Sequence, residues 1–450
     1  MEQILRVGFG RADITPEEYV ELSGFGTDSM RLCNKILDRV RGTCVAISDE
    51  NDNTILLCST DLLNAKEDTV VATAREAITA ATGVPGDRIM VGAVHTHSGP
   101  ATFSRSLPYT GDYLDYFGKQ MAKAAKEAME DRLPATPYVG TKRAENMTFV
   151  RHYRMNDGTL AGSGFGSNKS GYKEHLDVAD DNMQLIRFVR EGAKDILLVN
   201  WQSHSTFIGA SQGDQGKILS ADYSGPFRDH LEGLSGCKVA FYQGACGNLV
   251  PTSMVPGLSL VEKGDHIGYG RLLAERAMEG LENLRPVKGG PVMAKQRTYH
   301  GVLDHSEDHL VSEAKIVSEN YYKIEEHKDR CRLVREHGFT SIYHANQVII
   351  RSKMGDYLDI EIDALCAGDL AFATAPYEMF SSNGVYIKEN SPFEMTFVLA
   401  YCNGSNSYIA DKKAFGYNCY EVNSRRYGEG AAEDIVENHV QMLKELKAEQ

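Results

Sequence analysis

The sequence Ile89-Met90-Val91-Gly92-Ala93-Val94-His95-Thr96-His97-Ser98-Gly99-Pro100 combines a buried type of strand with two histidines at its end. Its first six residues are apolar or small, which is typical of a strand covered on both faces. His95 and His97 are two positions apart, so their side chains share one face of an extended backbone. Such a pair is a frequent metal-ligand spacing, because imidazole nitrogens bind zinc at about 2.0–2.1 Å. Two hydrogen-bonded histidines near the surface would give the same pattern.

Four other short apolar runs also end in polar residues that could bind a ligand. The runs and the residues that follow them are Ile196–Trp201 with His204, Lys238–Tyr242 with Asn248, Leu370–Ala375 with Glu378, and Met395–Ala400 with Tyr408. In open α/β sheets, ligands bind in the crevice at the carboxyl ends of strands, so we expect these residues to form one site. Together they supply two or three imidazoles and a carboxylate, which is the ligand inventory of a catalytic zinc site with an open position.

Helical patterns alternate with these strands along the chain. Helices are predicted at Ala65–Thr82, Leu114–Met129, Pro226–Leu234, His266–Leu284 and from Ala431 to about Leu446, and a hairpin joins Val45–Ser48 to Thr54–Cys58. This alternation predicts an α/β fold in which helices flank a layered mixed β-sheet. No linker divides the chain, so we assign residues 1–450 to one large domain, with the highly charged stretch 306–337 as a helical insertion.

Composition argues against several classes of function. The 450 residues are 42% hydrophobic and 24% charged, which are ordinary globular proportions. With a formal net charge of −14 and no dense block of Lys and Arg, the chain is not expected to bind nucleic acid. No apolar run reaches the roughly 20 residues that cross a bilayer, and no signal-peptide core is visible. The nine Cys form no Cys-x-x-Cys pair, so we expect reduced thiols in a cytoplasmic protein without stable membrane association.

Five blocks of sequence keep one order along nearly the whole chain. They are Val7–Pro16 with Leu22–Gly26, His95–Pro100, Asn200–His204 with Ser220–Gly225, Ala375–Glu378, and Tyr408–Glu421. The block with the two histidines is the most specific of them. On these residues the chain resembles the neutral/alkaline non-lysosomal ceramidase family, over that family's N-terminal catalytic domain. The resemblance implies that residues 1–450 form a ceramidase-like catalytic domain.

The resemblance implies a zinc site with four protein ligands. In this family the metal is held by the first His of the His-Thr-His motif, a later single His, a Glu and a Tyr. The matching residues here are His95, His204, Glu378 and Tyr408. His97, the second His of the motif, would lie beside the metal as a substrate or oxyanion contact.

The resemblance also implies residues that contact the substrate. Arg151 falls where a family arginine faces the substrate, and Tyr417 and Tyr420 fall where two further active-site tyrosines are found. Core or surface aromatic residues would fit the two tyrosine positions as well. Gly24 and Asn248, which lie in or beside matching blocks, are assigned to substrate binding.

The chain departs from the family in ways that concern the nucleophile and the substrate. Val250 stands where the family has a serine that has been considered a nucleophile, and valine has no nucleophilic atom. Acyl transfer to a serine at this position is therefore excluded. The immunoglobulin-like domain and the secretion signal of the secreted ceramidases are also expected to be missing. Because ceramide lies in bilayers, we expect a soluble N-acyl compound or a related small amide as substrate, and a role in sphingolipid metabolism stays open.

A zinc mechanism does not require that serine. Zn²⁺ can lower the pKa of a bound water from about 15.7 to about 7, which would give a hydroxide able to attack an amide carbonyl. His97 is expected to shuttle the proton, and Arg151, Tyr417 or Tyr420 to stabilise the oxyanion. We therefore predict a zinc-dependent amide hydrolase. The sequence leaves open an ester hydrolase or a lyase acting on a sugar-like molecule, a non-catalytic metal- or ligand-binding protein, and assembly into a homo-oligomer.

Overall fold

The computed structural model describes residues 4–18, 20–25, 31–104, 110–162, 169–208, 217–417 and 419–450. Within these residues, most strands belong either to a nine-stranded sheet or to a four-stranded sheet. Both sheets contain parallel and antiparallel pairs, and helices cover them. This arrangement confirms the predicted α/β class with a mixed sheet flanked by helices, whereas the assignment of residues 1–450 to one domain stays a prediction.

The nine-stranded sheet contains eight long strands and one short one. The long strands are β1 (Leu5–Asp13), β2 (Arg41–Ser48), β3 (Thr54–Thr60), β4 (Ile89–Ala93), β5 (Leu133–Arg143), β6 (Asn182–Arg190), β7 (Ile196–Trp201) and β8 (Lys238–Gln243). Their spatial order is β8-β7-β6-β5-β1-β2-β3-β4, and the short strand Arg285–Pro286 pairs with β5. The parallel pairs, β3 with β4 and β7 with β8, lie at the two ends of this order. The predicted hairpin is confirmed as the antiparallel pair of β2 and β3.

The sheet curls until its two ends approach each other. Tyr242 Oη in β8 donates a hydrogen bond to Leu57 O in β3 over 3.0 Å. Just beyond the carboxyl ends of β4 and β7, Thr96 and Ser205 form a parallel bridge. Strands that are far apart in the strand order therefore end side by side.

The four-stranded sheet packs against the first sheet. It consists of β9 (Val292–Val302), β10 (Tyr357–Ala367), β11 (Leu370–Ala375) and β12 (Met395–Ala400), in that spatial order, with β11 and β12 parallel. Phe372 and Phe397 from this sheet share a buried core with Leu57, Met90 and Leu198 from the first. This burial removes apolar surface from water on both sheets, at about 25 cal/mol per Å². It also brings the end of β12 beside the end of β4.

Most of the longer helices pack on these sheets, and three of them pack on one another in a separate helical segment. The longer helices are α1 (Ala72–Thr82), α2 (Thr110–Glu130), α3 (Ser224–Ser235), α4 (His266–Leu281), α5 (Val311–Asn320), α6 (His327–Glu336), α7 (Ile342–Arg351), α8 (Ser381–Asn390) and α9 (Ala431–Glu449). No helix among the described residues is both long enough and apolar enough to span a membrane. Shorter helical pieces are Glu67–Val71, Gly86–Arg88, Asp308–Leu310, Tyr321–Lys323, Lys412–Phe415 and Tyr420–Asn423. Shorter strands are Lys35–Ile36, Phe149–Val150, His152–Met155, Leu160–Gly162, Tyr172–His175, Ile218–Leu219, Leu249–Val250, Glu378–Met379 and Tyr408–Ile409.

Two glycines of β1 explain how closely α2 lies against the sheet. A Cβ atom on Gly8 would come within 2.0 Å of Ala128 O, and one on Gly10 within 2.0 Å of Ala124 O. Any side chain at either position would push the helix away from the strand. The pair of glycines therefore fixes the distance between this helix and the sheet.

The charged stretch 306–337 is helical but is not one continuous helix. It contains α5 and α6, which are separated by the 3₁₀ turn Tyr321–Lys323 and by extended backbone at Ile324 and Glu326. The helical segment then continues through α7 to Arg351. Its helices share a small buried cluster formed by Ala314, Val317, Val334, Phe339, Ala345 and Val348.

Candidate metal centre

Loops that follow buried strands surround one small cavity. The loops after β4, β11 and β12 line it, and His204 after β7 and Cys246 after β8 lie directly behind them. The cavity has a volume of about 140 Å³. It is lined by Gly24, Phe25, Leu63, Asn64, His95, His97, Tyr377, Glu378, Tyr401, Ser405, Ser407, Tyr408 and Tyr420. The predicted convergence of strand ends is present, but the strands come from two packed sheets rather than from one edge of a single sheet.

His95 is held in one orientation by its surroundings. Its Nδ1–H donates to Leu63 O over 2.7 Å, which leaves the lone pair on Nε2. The ring of Tyr401 stacks on the imidazole with 3.7 Å between centroids and 14° between planes. A hydrogen bond of this kind behind a histidine fixes the tautomer that a metal ligand needs.

His204 is fixed in the same way, and Glu378 joins the two histidines. His204 Nδ1–H donates to Cys246 O over 2.8 Å, so its Nε2 also carries a lone pair. Glu378 Oε2 lies 3.4 Å from His204 Nε2 and 3.6 Å from His95 Nε2. Ligands that are about 2.0–2.1 Å from a tetrahedral zinc ion lie about 3.4 Å from one another. Glu378 Oε2 is therefore spaced from each imidazole nitrogen as two ligands of one zinc ion would be.

The charges of the site also suit a divalent cation. Burial lowers the pKa of both His95 and His204 to about 3, so both imidazoles are neutral near pH 7. The nearby charged groups are the carboxylates of Glu378 and Glu421 and the guanidinium of Arg151. Arg31, whose Nη2 donates to His97 O over 2.7 Å, is a fourth charged group nearby. Since Glu421 already pairs with Arg151, Glu378 is the carboxylate left to offset the charge of a bound cation.

His97 lies close enough to be a third imidazole of the cluster. Its Nε2 is 3.2 Å from His95 Nε2, and His95, His97 and His204 present nitrogens that all lie within 4.8 Å of one another. Its Nδ1 is buried and has no hydrogen-bond partner among the described residues. Gly24 packs against this ring: a Cβ there would lie 2.8 Å from the imidazole, and its φ of +96° also favours glycine. Gly24 thus borders the cavity and leaves room for the His97 ring, while its role in substrate binding stays a prediction.

Arg151 joins the histidine cluster to Tyr408. Its Nη1 lies 3.5 Å from His204 Nε2, and its Nη2 donates to Tyr408 Oη over 3.1 Å. On the opposite side its Nε donates to Glu421 Oε1 over 2.5 Å. Although burial opposes it, the charge of Glu421 and the neighbouring Tyr408 raise the pKa of Arg151 well above its usual value. Tyr408 lines the same cavity as Glu378, and burial with the charge of Glu378 raises its pKa.

The remaining predicted residues lie at different distances from this centre. Tyr420 lines the cavity and packs its ring against Tyr408, with 5.6 Å between centroids. Tyr417 is half-buried, packs near His152 with 6.3 Å between ring centroids, and does not line the cavity. Asn248 is buried, and its Oδ1 accepts a hydrogen bond from Ser381 N. The structure therefore brings Tyr420 to the site and places Tyr417 and Asn248 outside the cavity lining.

A second cavity lies on the outer side of Arg151. It has a volume of about 460 Å³, and its walls include Tyr153, Phe207, Val250 and Thr252 together with Arg151. Val250 belongs to this second cavity and not to the one that holds the imidazoles. Arg151 thus lines the second cavity and contacts Tyr408, which lines the first.

Sequence reasoning missed Tyr401 and did not assign a role to Glu421. Tyr401 follows β12 directly, stacks on His95 and places its Oη 3.5 Å from Glu378 Oε2 and 3.2 Å from Cys246 Sγ. Its position at the end of a buried strand was the available signal. Glu421 follows Tyr420 in a block that carried the resemblance, but no spacing rule connects it to Arg151.

The backbone around the cavity is strained. His95, Tyr401, Asn403 and Ser407 all have a positive φ, between 53° and 69°, although none is a glycine. Each such residue costs on the order of 1 kcal/mol or more, and such residues persist where the surrounding structure holds them in place. Four of them in the loops after β4 and β12 indicate a site whose geometry matters more than local backbone preference.

Comparisons with known proteins bear on the fold. No protein-family model matches the chain, and no curated protein does. Among solved structures, the neutral ceramidase from Pseudomonas aeruginosa is similar, with a TM-score of 0.72 and 18% sequence identity over 100% of this chain and 75% of that one. A ceramidase complexed with C2 matches with a TM-score of 0.70 and 18% identity, over 99% of this chain and 76% of that one. The chain therefore has the fold of neutral ceramidase, as its sequence blocks predicted.

Proposed function

We propose that this protein is a zinc-dependent hydrolase of a C–N amide bond, acting on a soluble N-acyl compound or a related small amide. The observation that carries the proposal is the position of Glu378 Oε2, which lies 3.4 Å from His204 Nε2 and 3.6 Å from His95 Nε2. The fold shared with neutral ceramidase supports the same class of reaction. Tyr408, which lines the same cavity, is proposed as the fourth ligand.

The protein side chains would divide the chemical tasks among them. A zinc ion held by these ligands would supply Lewis-acid activation of a water molecule and of the amide carbonyl. His97, whose Nε2 lies 3.2 Å from His95 Nε2, is proposed to transfer the proton between the water and the leaving amine. Arg151 and Tyr420 would donate hydrogen bonds to the developing oxyanion, because both lie next to Tyr408 at the edge of the cluster.

The nucleophile in this proposal is water and not a serine. Val250 has no nucleophilic atom and lines the outer cavity. Ser98, a hydroxyl close in sequence to the histidines, is buried and donates its Oγ–H to Ile208 O over 3.1 Å. Neither residue offers an activated hydroxyl to the metal cavity.

The size of the two cavities favours a small substrate with two unequal halves. The metal cavity of about 140 Å³ is smaller than the roughly 300–1,000 Å³ pockets that enclose drug-sized ligands. The outer cavity of about 460 Å³ is within that range. We propose that a small substituent of the amide would lie beside the metal and that a larger one would reach towards the outer cavity, whose wall residue Arg151 contacts Tyr408 of the metal cavity.

The test combines metal analysis with a substrate screen. The purified protein is analysed for zinc by mass spectrometry, stripped with a chelator, reconstituted, and assayed on short N-acyl amines, on matched esters and on sugar-like compounds. We expect one zinc per chain and chelator-sensitive hydrolysis that favours amides. Esters or sugars turned over in preference to amides would replace the proposed reaction with another on the same fold. Zinc binding without any turnover would leave a metal-binding protein.

A further inference from the structure

A buried cluster behind Arg151 consists of Glu421, His152 and Cys419. We propose that Glu421, held by His152, is the positioning residue that fixes the guanidinium of Arg151 between His204 and Tyr408. The proposal rests on the proposed function insofar as it treats Arg151 as part of a hydrolytic site. It also assigns the cluster a positioning role in place of a second metal site.

The two oxygens of Glu421 are each used by a different partner. Arg151 Nε donates to Oε1 over 2.5 Å, and His152 Nε2–H donates to Oε2 over 2.8 Å. The carboxylate is fully buried, and the side chains of Arg151 and His152 are 13% and 2% exposed. A carboxylate held at both oxygens has no freedom to rotate, so it fixes the direction in which the guanidinium points.

The remaining nitrogens of Arg151 point at the metal centre. Nη1 lies 3.5 Å from His204 Nε2, and Nη2 donates to Tyr408 Oη over 3.1 Å. The guanidinium is planar, so fixing Nε on one side determines where Nη1 and Nη2 lie on the other. The orientation that Glu421 imposes is therefore passed directly to two proposed ligands, His204 and Tyr408.

Backbone contacts around the cluster also help to hold Arg151 and Glu421 in position. Arg151 N donates to Asn248 O over 2.9 Å, which ties the start of this side chain to the loop after β8. Glu421 lies on the short helix Tyr420–Asn423, next to Tyr420, whose ring packs against Tyr408. One short helix thus carries both the residue that orients Arg151 and an aromatic ring of the cavity.

Stability alone does not account for the arrangement. Replacing a buried ion pair by apolar residues of similar volume is often neutral or stabilising, because taking both charges out of water is expensive. A buried arginine, glutamate and histidine beside a strained and polar cavity are better explained by the orientation that they impose.

The cluster is poorly suited to bind a metal ion of its own. Both oxygens of Glu421 already accept hydrogen bonds, one from Arg151 and one from His152, so neither oxygen is left for a metal ion. His152 Nε2 is used in the same network. The Cys419 thiol is buried, and a zinc ligand must be a thiolate, which burial disfavours.

The experiment is a double-mutant cycle on Glu421 and Arg151. The variants are Glu421→Gln, Arg151→Met and the double variant, assayed for kcat, KM and zinc content. We expect kcat to fall by about 10²-fold in Glu421→Gln, as for a misplaced catalytic group, with KM much less affected and zinc unchanged at one per chain. If Glu421 acts through Arg151, the double variant has the kcat of Arg151→Met alone. Losses that multiply in the double variant would overturn the proposal.

The double variant removes both buried charges, so it leaves no unpaired charge that would oppose folding. If Glu421→Gln alone folds poorly, equal kcat in the double variant and in Arg151→Met still tests the proposal. The matched control is Asp131→Asn, which takes the carboxylate from the buried Arg190 at the amino-terminal side of β8, away from the cavity. This variant is expected to lose stability without losing kcat. An equal fall of kcat in the control would mean that a general loss of stability explains the effect.

Two readouts separate this proposal from the proposed function. Two zinc ions per chain, falling to one in both Glu421→Gln and Cys419→Ser, would show that the cluster is a metal site and overturn the positioning role. If the wild-type protein binds zinc but hydrolyses no amide, the proposed function fails while the positioning role is still decided by a crystal structure of Glu421→Gln. A guanidinium displaced from Tyr408 Oη would support it, and an unmoved one would refute it.

Discussion

Among the described residues, two glutamates are each held between an arginine and a histidine, and one of them, Glu307, has a second arginine, Arg425, 3.4 Å from its carboxylate. Glu421 accepts from Arg151 Nε and His152 Nε2. Glu307 accepts from Arg351 Nη2 and, over 3.0 Å, from His344 Nε2. In both clamps the arginine takes one carboxylate oxygen and the histidine takes the other. The chemistry of the two clusters is therefore closely alike.

The clamps differ in what their arginines touch on the far side. Arg351 Nη1 donates to a backbone carbonyl, Asn423 O, over 2.9 Å. Arg151 instead reaches a hydroxyl and an imidazole nitrogen beside the cavity. The first contact ties the helical segment 308–351 to the short helix Tyr420–Asn423, whereas the second arranges groups that could meet a substrate.

The charge pattern alone does not identify a functional cluster, because the two glutamates differ in burial. Glu421 is fully buried, while the side chain of Glu307 is 20% exposed. Partial exposure reduces the cost of unpaired charge, so the Glu307 clamp can be judged mainly as a structural tie. The Glu421 clamp is fully desolvated, which is costly, and it lies next to a cavity where the orientation of Arg151 can affect a substrate.

Removal of a proposed metal ligand should have the largest effect, and it should distinguish the metal centre from the Glu307 clamp. We expect His95→Ala and His204→Ala to lose zinc and to reduce hydrolysis by about 10⁴-fold, since Lewis-acid stabilisation is worth several kcal/mol and each tenfold in rate corresponds to about 1.4 kcal/mol. The matched control is His344→Ala from the other clamp, which should keep its zinc and its activity. Zinc analysis, circular dichroism and kcat measure the outcome. Full zinc retention in both ligand variants would refute the ligand assignment.

Replacement of His97 should show whether this residue binds the metal or transfers a proton. The geometry admits His97 as a third imidazole ligand, whereas the proposed function gives it proton transfer. We expect His97→Gln to retain one zinc per chain and to lose about 10²–10³-fold in kcat, the usual contribution of a general acid–base group. Loss of zinc in this variant would instead make His97 a ligand and leave the proton shuttle unassigned.

The position of the site could be predicted from the sequence because it depends on strand ends. His95, His204, Glu378 and Tyr408 each follow a short apolar run, and the structure gathers them around one cluster. Asn248 also follows such a run, yet its side chain turns to Ser381 N. Strand ends predict which loops meet, but the direction of each side chain depends on contacts made far away in sequence.

The fold could be predicted less completely, and the omissions have a common cause. The predicted strands β4, β7, β8, β11 and β12 are short and almost entirely apolar. The strands β5, β6 and β9 were not identified because polar and charged residues interrupt their apolar pattern. Curling of the large sheet and packing of the second sheet on it are tertiary effects that a local pattern does not encode.

Neutralising each clamped glutamate should show which clamp costs more to break. Glu421→Gln leaves Arg151 buried without its carboxylate, so we expect the free energy of unfolding to fall by about 3–5 kcal/mol. Glu307→Gln should cost about 1–3 kcal/mol, because its site is partly exposed and Arg425 Nη2 lies 3.4 Å from the same carboxylate. Urea unfolding of both variants measures the difference. A larger loss in Glu307→Gln would reverse the ranking on which the comparison depends.

Acid should weaken the Glu421 clamp in a defined window of pH. Burial raises the pKa of Glu421, but Arg151 and His152 outweigh it and lower the pKa to about 2. Because the folded-state pKa lies below the unfolded value of about 4.3, the unfolded chain binds the proton first as the pH falls. The stabilisation, on the order of 3 kcal/mol, is complete above about pH 4.5 and is lost towards pH 2. Urea unfolding at pH 6, 4 and 3 should show a shallower loss in Glu421→Gln than in wild type, and equal slopes would contradict the assignment.

The smallest effect is expected on the outer side of Arg151, at the position where the ceramidase resemblance expects a serine. Val250 lines the outer cavity, so Val250→Ser would place a hydroxyl away from the imidazoles of the metal centre. If water is the nucleophile, kcat should change by less than about 2-fold, because the new hydroxyl makes no contact that strengthens in the transition state. Thr252→Ala, a neighbouring wall of the same cavity, is the control and should behave in the same way. Two results would contradict this prediction: a gain in kcat above tenfold in Val250→Ser, or a covalent adduct of a serine-directed reagent that abolishes turnover of that variant. Either result would show that a hydroxyl at position 250 can reach the scissile carbonyl. Val250 would then belong to the reaction site and not only to the outer cavity.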